Sequence, residues 1–443
     1  MHYDLIIKNG NIAAVQETFN ADIAVKDGKI ALTGNINTGD TADEIFDASA
    51  LHILPGIIDA HVHFRDPGLT EKEDFETGSI AAAFGGITMT ADMPNTKPVT
   101  STEKDFIEKT FLAKEKSYID FALFALLTNE NIDEMEKLKK AGAFGFKVFF
   151  GSSTGDIACP SHAVLIQQLK TAASLDMRTG FHCETNDINA NFTEIARKET
   201  DSPDGFWLDY ARPVMSEAQA VLNVMRCSLQ TKAKIHIHHL TSCESIFITE
   251  EAKEKGLNVT TETCPHYLFL NNEVTHKVYP PIRDNSHRTE LWDALINGKI
   301  SMIASDHAPH TAAEKTLPLW EMPAGLCGVE TLVPLFLDQV NKGNISLNGF
   351  VRLASESPAK TWNVYPQKGS LLAGADADFT LVDMKKKHTI DAAKLHSKSR
   401  TSPFDGMELQ GAVSSTIVRG KFIMREGELT GCKGYGILIS PEH

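Results

Sequence analysis

The chain has 443 residues and a formal net charge of −15, long enough for one large domain and a smaller companion. That charge, with no basic run or stripe to offset it, excludes nucleic acid and anionic membranes as natural partners. No stretch reaches the roughly 20 apolar residues of a membrane span, and any anionic substrate needs a local cation to hold it.

Met1 to Gly10 lack a basic region followed by an apolar core, so no secretory leader is expected. Seven cysteines, at 159, 183, 227, 243, 264, 327 and 432, are scattered singly without a Cys-x-x-Cys pair. Reduced thiols and a cytoplasmic setting are the expectation.

Residues 2–50 read as short strands joined by tight turns. Asn9-Gly10 and Asp27-Gly28 are hairpin signals flanked by alternating apolar residues. The stretch from about 368 to 429 has the same character. The two ends, 1–52 and 366–443, are therefore expected to build one small β-sandwich, with 53–365 inserted between them.

The insert alternates strand-like and helix-like patterns. Candidate strands are 57–63, 87–92, 121–127, 144–150, 179–183, 235–239, 259–263 and 301–305. Amphipathic stretches separate most of them, including one opened by a capping box, Thr100-x-x-Glu103, and others over 161–175, 217–230 and 288–297. Eight strands with interleaved helices predict an α/β fold, a (β/α)8 TIM barrel, whose chemistry lies at the C-terminal ends of its strands.

Polar, metal-competent residues fall at those ends. Asp59-Ala-His-Val-His63 closes the first strand, and period two puts His61 and His63 on one face, able to grip one ion. A His-x-His pair can equally be two ordinary hydrogen-bonded histidines; the rest of the chain decides. Lys147 stands in the otherwise apolar Phe144-Gly-Phe-Lys-Val-Phe-Phe. A buried amine there either reaches out to the strand's end or loses its charge; as a neutral amine it can take up CO2 and become a metal-bridging carbamate.

His182 ends the fifth strand. His236, His238 and His239 crowd the sixth, where His239, beside the loop, is the ligand candidate and the others are supporting or packing groups. Asp306, in Ser305-Asp-His-Ala-Pro-His310, follows the eighth and could touch a metal and shuttle a proton, or merely cap a loop. Nitrogen and oxygen donors without thiolate suit zinc, and also manganese or cobalt. Two such ions predict metal-assisted hydrolysis of an amide, or its reverse, with Asp306 moving the proton.

With these residues in view the chain resembles the cyclic-amide hydrolases of the amidohydrolase superfamily, most closely the dihydroorotase branch. Pro55-Gly-Ile-Ile-Asp-Ala-His-Val-His, Phe146-Lys-Val-Phe, His182-Cys-Glu and Ser305-Asp-His-Ala-Pro-His carry the resemblance, in order, over nearly the whole chain. It implies two Zn2+ held by His61, His63, Lys147, His182, His239 and Asp306, with Lys147 carboxylated. Phe64-Arg-Asp-Pro-Gly and Met93-Pro-Asn-Thr are the dihydroorotase-like forms of their loops. They imply that Arg65 and Asn95, helped by His310, hold a substrate carboxylate, and that Ala324 and Gly325 offer backbone groups to the ring amide. A forked guanidinium is the local cation this acidic chain needs. The plain alternatives are a salt bridge from Arg65 to Asp66 or Glu71, and a turn role for Asn95.

Two departures stand out. Asp156 lies near enough in sequence to bridge the metals in place of Lys147, as in one branch of the relatives. Val278-Tyr-Pro-Pro-Ile-Arg283 carries Tyr279 where many relatives have asparagine. The leading expectation is interconversion of N-carbamoyl-L-aspartate and (S)-dihydroorotate. The alternative is an allantoinase or hydantoinase/dihydropyrimidinase-type enzyme, whose substrates lack that carboxylate. A non-catalytic scaffold is disfavoured because no ligand position is blank. A small-molecule substrate and a homodimer are the expected partners, and 311–323 is a candidate lid.

Overall fold

The computed structural model describes residues 1–151 and 157–441; Asp156, the alternative bridge, lies outside the described residues. Five strands open the chain: β1 (His2–Ala13), β2 (Thr18–Lys26), β3 (Lys29–Gly34), β4 (Thr41–Asp47) and β5 (His52–Pro55). Eight follow in the middle: β6 (Ile57–Val62), β7 (Ile87–Asp92), β8 (Asp120–Leu126), β9 (Gly145–Phe150), β10 (Arg178–Cys183), β11 (Lys234–Ile237), β12 (Val259–Thr263) and β13 (Met302–Ile303). Four more, β14 (Phe379–Thr389), β15 (Glu408–Val418), β16 (Lys421–Arg425) and β17 (Glu428–Leu429), come last.

The middle eight pair in parallel, in sequence order from β6 to β13. A parallel bridge between Val62 and His307 brings the two edges together, so the expected TIM barrel is present. Their apolar runs are buried on both faces, as parallel strands between a barrel interior and a helical shell must be. Helices Phe75–Phe84, Glu103–Lys116, His162–Ser174, Val214–Thr231, Cys243–Glu254 and Asn285–Ile296 lie between successive strands. Ile58, Met89, Phe124, Phe144, Met302 and Trp362 form an apolar plug. At the start of β9, Gly145 leaves room for Trp362, whose ring would come within 2.6 Å of a Cβ there.

The eighth strand is shorter than its sequence suggests, for a chemical reason. The Ser305 amide donates to Asp59 Oδ1 (3.0 Å), and His307 bridges both Val62 and Leu326. The chain thus leaves the ladder to deliver Asp306.

The outer strands form one mostly antiparallel nine-stranded sheet, in the order β17-β16-β15-β14-β5-β1-β2-β3, with β4 on β1. Ile7, Ile23, Val25, Ile53, Phe379 and Ile417, from both chain ends, share its core. Asp27-Gly28 makes the expected hairpin turn, both residues at positive φ. Asn9-Gly10 does not: it lies inside β1 as a bulge, where a Cβ on Gly10 would meet Ile53 Cδ1 at 2.2 Å. The helix over Glu103–Lys116 is capped by Thr102 through the Asp105 amide, two residues later than the expected Thr100, which is buried.

A buried charge cluster fastens barrel to sheet. Lys368 Nζ lies 2.5 Å from Asp120, 2.7 Å from Asp378 and 2.9 Å from Asp376, all buried, and Arg419 also grips Asp120. Those three aspartates are spaced like metal ligands, but the lysine ammonium fills the cation's place. Among the described residues, no helix is long and apolar enough to cross a membrane.

Candidate active site

His61, His63, Lys147, His182, His239 and Asp306, brought from five strands and the turns that follow them, line one cavity at the C-terminal mouth of the barrel. Arg65, Asn95, Tyr279, Ala324 and Gly325 line it too. Arg65 (φ +62°), His239 (+39°) and Asp306 (+47°) hold left-handed backbone, a strained choice for side-chain-bearing residues that clusters at functional sites. For His239 this corrects the strand reading. β11 stops at Ile237, and the turn that follows swings His239 into the cavity.

The partners of each imidazole determine which nitrogen faces inward. His61 donates from Nδ1 to Glu262 Oε1 (2.5 Å), leaving Nε2 3.4 Å from Asp306 Oδ1. His63 donates from Nδ1 to Asn95 Oδ1 (2.7 Å) and turns Nε2 to the same oxygen at 3.3 Å. His182 donates from Nε2 to Glu184 (2.9 Å), so its Nδ1 faces His239 Nε2 at 3.0 Å. Burial and the charge of Lys147 push the His61 imidazole well below its ordinary value, and burial pushes His182 and His239 down too. Neutral imidazoles are what a metal requires.

Lys147 Nζ is fully buried, has no hydrogen-bond partner among the described residues, and stands 5.0 Å from the Phe149 ring. Burial lowers it to about 8, against the pull of Glu262 and Asp306. Burial also pushes the Asp306 carboxyl up, but the His63 hydrogen bond and nearby cationic groups outweigh this and hold it below its usual range. An orphaned buried amine amid inward-turned imidazole nitrogens and a carboxylate fits a divalent-cation centre of nitrogen and oxygen donors. His61, His63 and Asp306 also fall within ligand distance of one another.

Arg65 is not the surface salt bridge that its neighbours allow. Asp66 pairs with Lys116 (2.7 Å), and no carboxylate of the described residues lies within 4 Å of the Arg65 guanidinium. Its Nε donates to Pro309 O (3.2 Å). His310 stands one layer back. Lys72 donates to its Nδ1 (3.1 Å), so its Nε2 carries the hydrogen and donates to Ala324 O (2.9 Å). The 3.4 Å approach of Arg65 to that same Nε2 therefore sets donor against donor and is not a hydrogen bond. Residues 311–323, the candidate lid, are tied down at several points: Lys72 to Glu314 (2.7 Å), Lys315 to Pro323 O and Gly325 O, and Lys277 to Leu319 O and Trp320 O.

The sequence reading missed three charged residues behind the cavity. Glu262 accepts from His61 Nδ1, His238 Nδ1 (2.9 Å) and His236 Nε2 (2.9 Å), which gives the two extra histidines of β11 their supporting role. Glu184 accepts from His182 and is clamped by Arg212. Glu262 sits in Val-Thr-Thr-Glu-Thr, so the argument that singled out Lys147, a charge in a buried strand, would have found it.

Fold and site together define a barrel hydrolase with a metal-competent mouth. The sequence matches the amidohydrolase family over residues 52–423, and the chain belongs to that family, among its cyclic-amide hydrolases. An allantoinase of Deinococcus radiodurans is 35% identical over 97% of both chains. A dihydroorotase of Methanothermobacter thermautotrophicus is 34% identical over 100% of this chain and 98% of its own. The solved L-hydantoinase (dihydropyrimidinase) of Arthrobacter aurescens superposes with a TM-score of 0.96 at 31% identity, over 99% of this chain and 100% of its own. The relatives thus carry three names and do not single out the dihydroorotase expectation. Allantoinase, part of the alternative, has the higher identity.

Proposed function

We propose that this chain opens, and in reverse closes, the ring amide of a cyclic ureide, and that its ring bears a carboxylate, as in (S)-dihydroorotate. Two divalent cations, zinc or else manganese or cobalt, would be held by His61, His63, His182, His239, Asp306 and a CO2-derived carbamate on Lys147. When bound they would supply Lewis acidity to a ring carbonyl and lower the pKa of water.

The chain's own residues supply the rest. Asp306 takes a proton from the attacking water and returns it to the ring nitrogen as the carbon–nitrogen bond breaks. Val278, Tyr279, Ala324 and Gly325 line the cavity around the place the ring would take. The Ala324 and Gly325 carbonyls already accept from His310 and Lys315, so these two residues would shape the wall. Arg65 carries the substrate assignment. It is a buried guanidinium in the cavity, with no carboxylate of the described residues within 4 Å, in a chain of net charge −15. A planar fork of donors in that state is matched by a ligand carboxylate.

The relatives' names weigh towards a second reading, an allantoinase or hydantoinase-type enzyme, since allantoinase has the higher identity. On that reading Arg65 would meet a neutral substituent. Turnover of (S)-dihydroorotate, N-carbamoyl-L-aspartate, allantoin and 5-substituted hydantoins separates the two. The dihydroorotate pair is expected to give the highest kcat/KM, and a clear preference for allantoin would replace the first reading with the second.

A further inference from the structure

A column of four side chains runs from the cavity wall to one of the inward-facing imidazoles. The Tyr279 ring lines the cavity, and the Arg212 guanidinium lies 3.6 Å from its centroid. Arg212 then forks onto Glu184, with Nε 2.7 Å from Oε1 and Nη2 on Oε2. Glu184 Oε2 accepts from His182 Nε2 at 2.9 Å. Asn189 also donates to Glu184 Oε1 (3.3 Å), and Arg283 fixes the Arg212 carbonyl from behind (2.6 Å). Glu184 and His182 are fully buried and Arg212 nearly so.

Each link is rigid for a physical reason. A guanidinium on an aromatic face is attracted by the ring's electron density, more strongly where water is excluded. A bidentate arginine–carboxylate pair admits one planar arrangement. A carboxylate on the far nitrogen of an imidazole fixes both its tautomer and its tilt. The ring that a substrate touches and the nitrogen that a cation needs are therefore parts of one stack.

We propose that Arg212 is a positioning residue that couples the substrate wall to the metal-facing histidine. Through it, Tyr279 acts both as the residue that sets which ring substituents fit and as a support for His182. This rests on the cyclic-ureide reading above for the substrate, but its metal arm does not. Asparagine at position 279 would lack the aromatic face on which the Arg212 guanidinium lies.

Zinc affinity of the metal-stripped full chain, measured by competition with a chromophoric chelator, tests the coupling without any turnover. Tyr279→Phe keeps the ring and gives up only the phenol's hydrogen bond with Arg212, and should weaken zinc binding by less than about threefold. Tyr279→Asn should weaken zinc binding roughly three- to tenfold through the loss of the ring beneath Arg212. Arg212→Lys, which keeps the charge but loses the fork and the flat face, should weaken it roughly 10- to 100-fold. In the loaded enzyme, Tyr279→Asn should also raise kcat/KM for bulkier 5-substituted rings relative to the parent's preferred substrate, while Tyr279→Phe keeps the parent's order.

Unchanged zinc affinity in Tyr279→Asn overturns the coupling, whatever Arg212→Lys does. That variant sits at the cavity surface and remains decisive if Arg212→Lys does not fold. A parent enzyme inactive on every cyclic ureide would instead remove the substrate reading and leave the zinc measurement standing.

Discussion

Glu262 Oε1 lies 2.5 Å from His61 Nδ1, and both groups are buried at the centre of the barrel. Two further imidazoles, His236 and His238, donate to the same carboxylate. A carboxylate has about four acceptor sites, so these donors nearly saturate Glu262 and leave His61 only its Nε2 for the cavity. Glu262→Gln keeps the shape but replaces one acceptor with an NH2 donor, forcing at least one imidazole to change tautomer. The expected result is a folded protein whose zinc affinity falls roughly 10- to 100-fold, read by chelator competition beside circular dichroism. Parent-like affinity would show that His61 does not depend on this contact.

Arg65 offers the sharpest division between substrates. A bidentate charged hydrogen bond is worth about 1.5–3 kcal/mol. Arg65→Met should therefore raise KM for dihydroorotate roughly 10- to 100-fold, leave zinc content unchanged, and alter allantoin kinetics far less. Equal losses on both substrates would show that Arg65 supports the site and does not read a carboxylate.

Asp306 stands 3.3–3.4 Å from the Nε2 atoms of His61 and His63 and is held below its ordinary pKa. It is thus ionised and ready to take a proton at neutral pH. Asp306→Asn keeps an oxygen in place but cannot carry that proton. Turnover should fall about 10²- to 10⁴-fold in both directions. A rate close to the parent's in either direction would assign the proton transfer to another group.

What the sequence disclosed, and what it did not, follows from the range of each interaction. The barrel strands were legible because burial on both faces writes a continuous apolar run, and a lysine or histidine inside such a run is conspicuous. Thr100 was misread as a cap, since Thr100-x-x-Glu103 and Thr102-x-x-Asp105 are rival signals two residues apart and only packing chooses between them. Asn9-Gly10 looked like a turn because a β-bulge needs the same backbone freedom. Glu184 and Arg212 are 28 residues apart, and no local pattern announces that they meet. Asn95 lines the cavity and spends its carboxamide oxygen on His63, 32 residues away, another pairing that no local pattern announces.

Lys368 holds barrel and sheet together through Asp120, Asp376 and Asp378. Removing one partner of a buried ion pair strands the other charges without water, at about 3–5 kcal/mol. Lys368→Met should lower the stability measured by denaturant unfolding by that order, with zinc affinity per folded molecule unchanged. A loss within about 0.5 kcal/mol, ordinary for a surface site, would mean that Arg419 on Asp120 and Lys29, whose Nζ lies 2.5 Å from Asp376, suffice to neutralise the cluster.

The buried histidines fix how the metal-free protein responds to acid. Burial, with the charges of Arg65 and Lys72, pushes His310 down to about 3, and burial pushes His266 down to about 4; unfolded, each would titrate near 6.5. Between about pH 6.5 and 4 the unfolded chain therefore binds protons that the folded chain refuses, so stability falls as pH falls. Each such group contributes up to about 1.4 kcal/mol per pH unit in that window. Asp59, which burial raises to about 6, acts in the opposite sense, as do Glu262 and Asp378, also raised by burial. The imidazoles that burial pushes down, among them His61, His236, His238 and His239, outnumber them. Denaturant midpoints of the chelator-stripped protein should drop steadily from pH 7 to 5. His310→Gln should flatten that slope by about one proton's worth. An identical slope in the two proteins would show that His310 takes up its proton in the folded state, and that Lys72 does not hold it neutral.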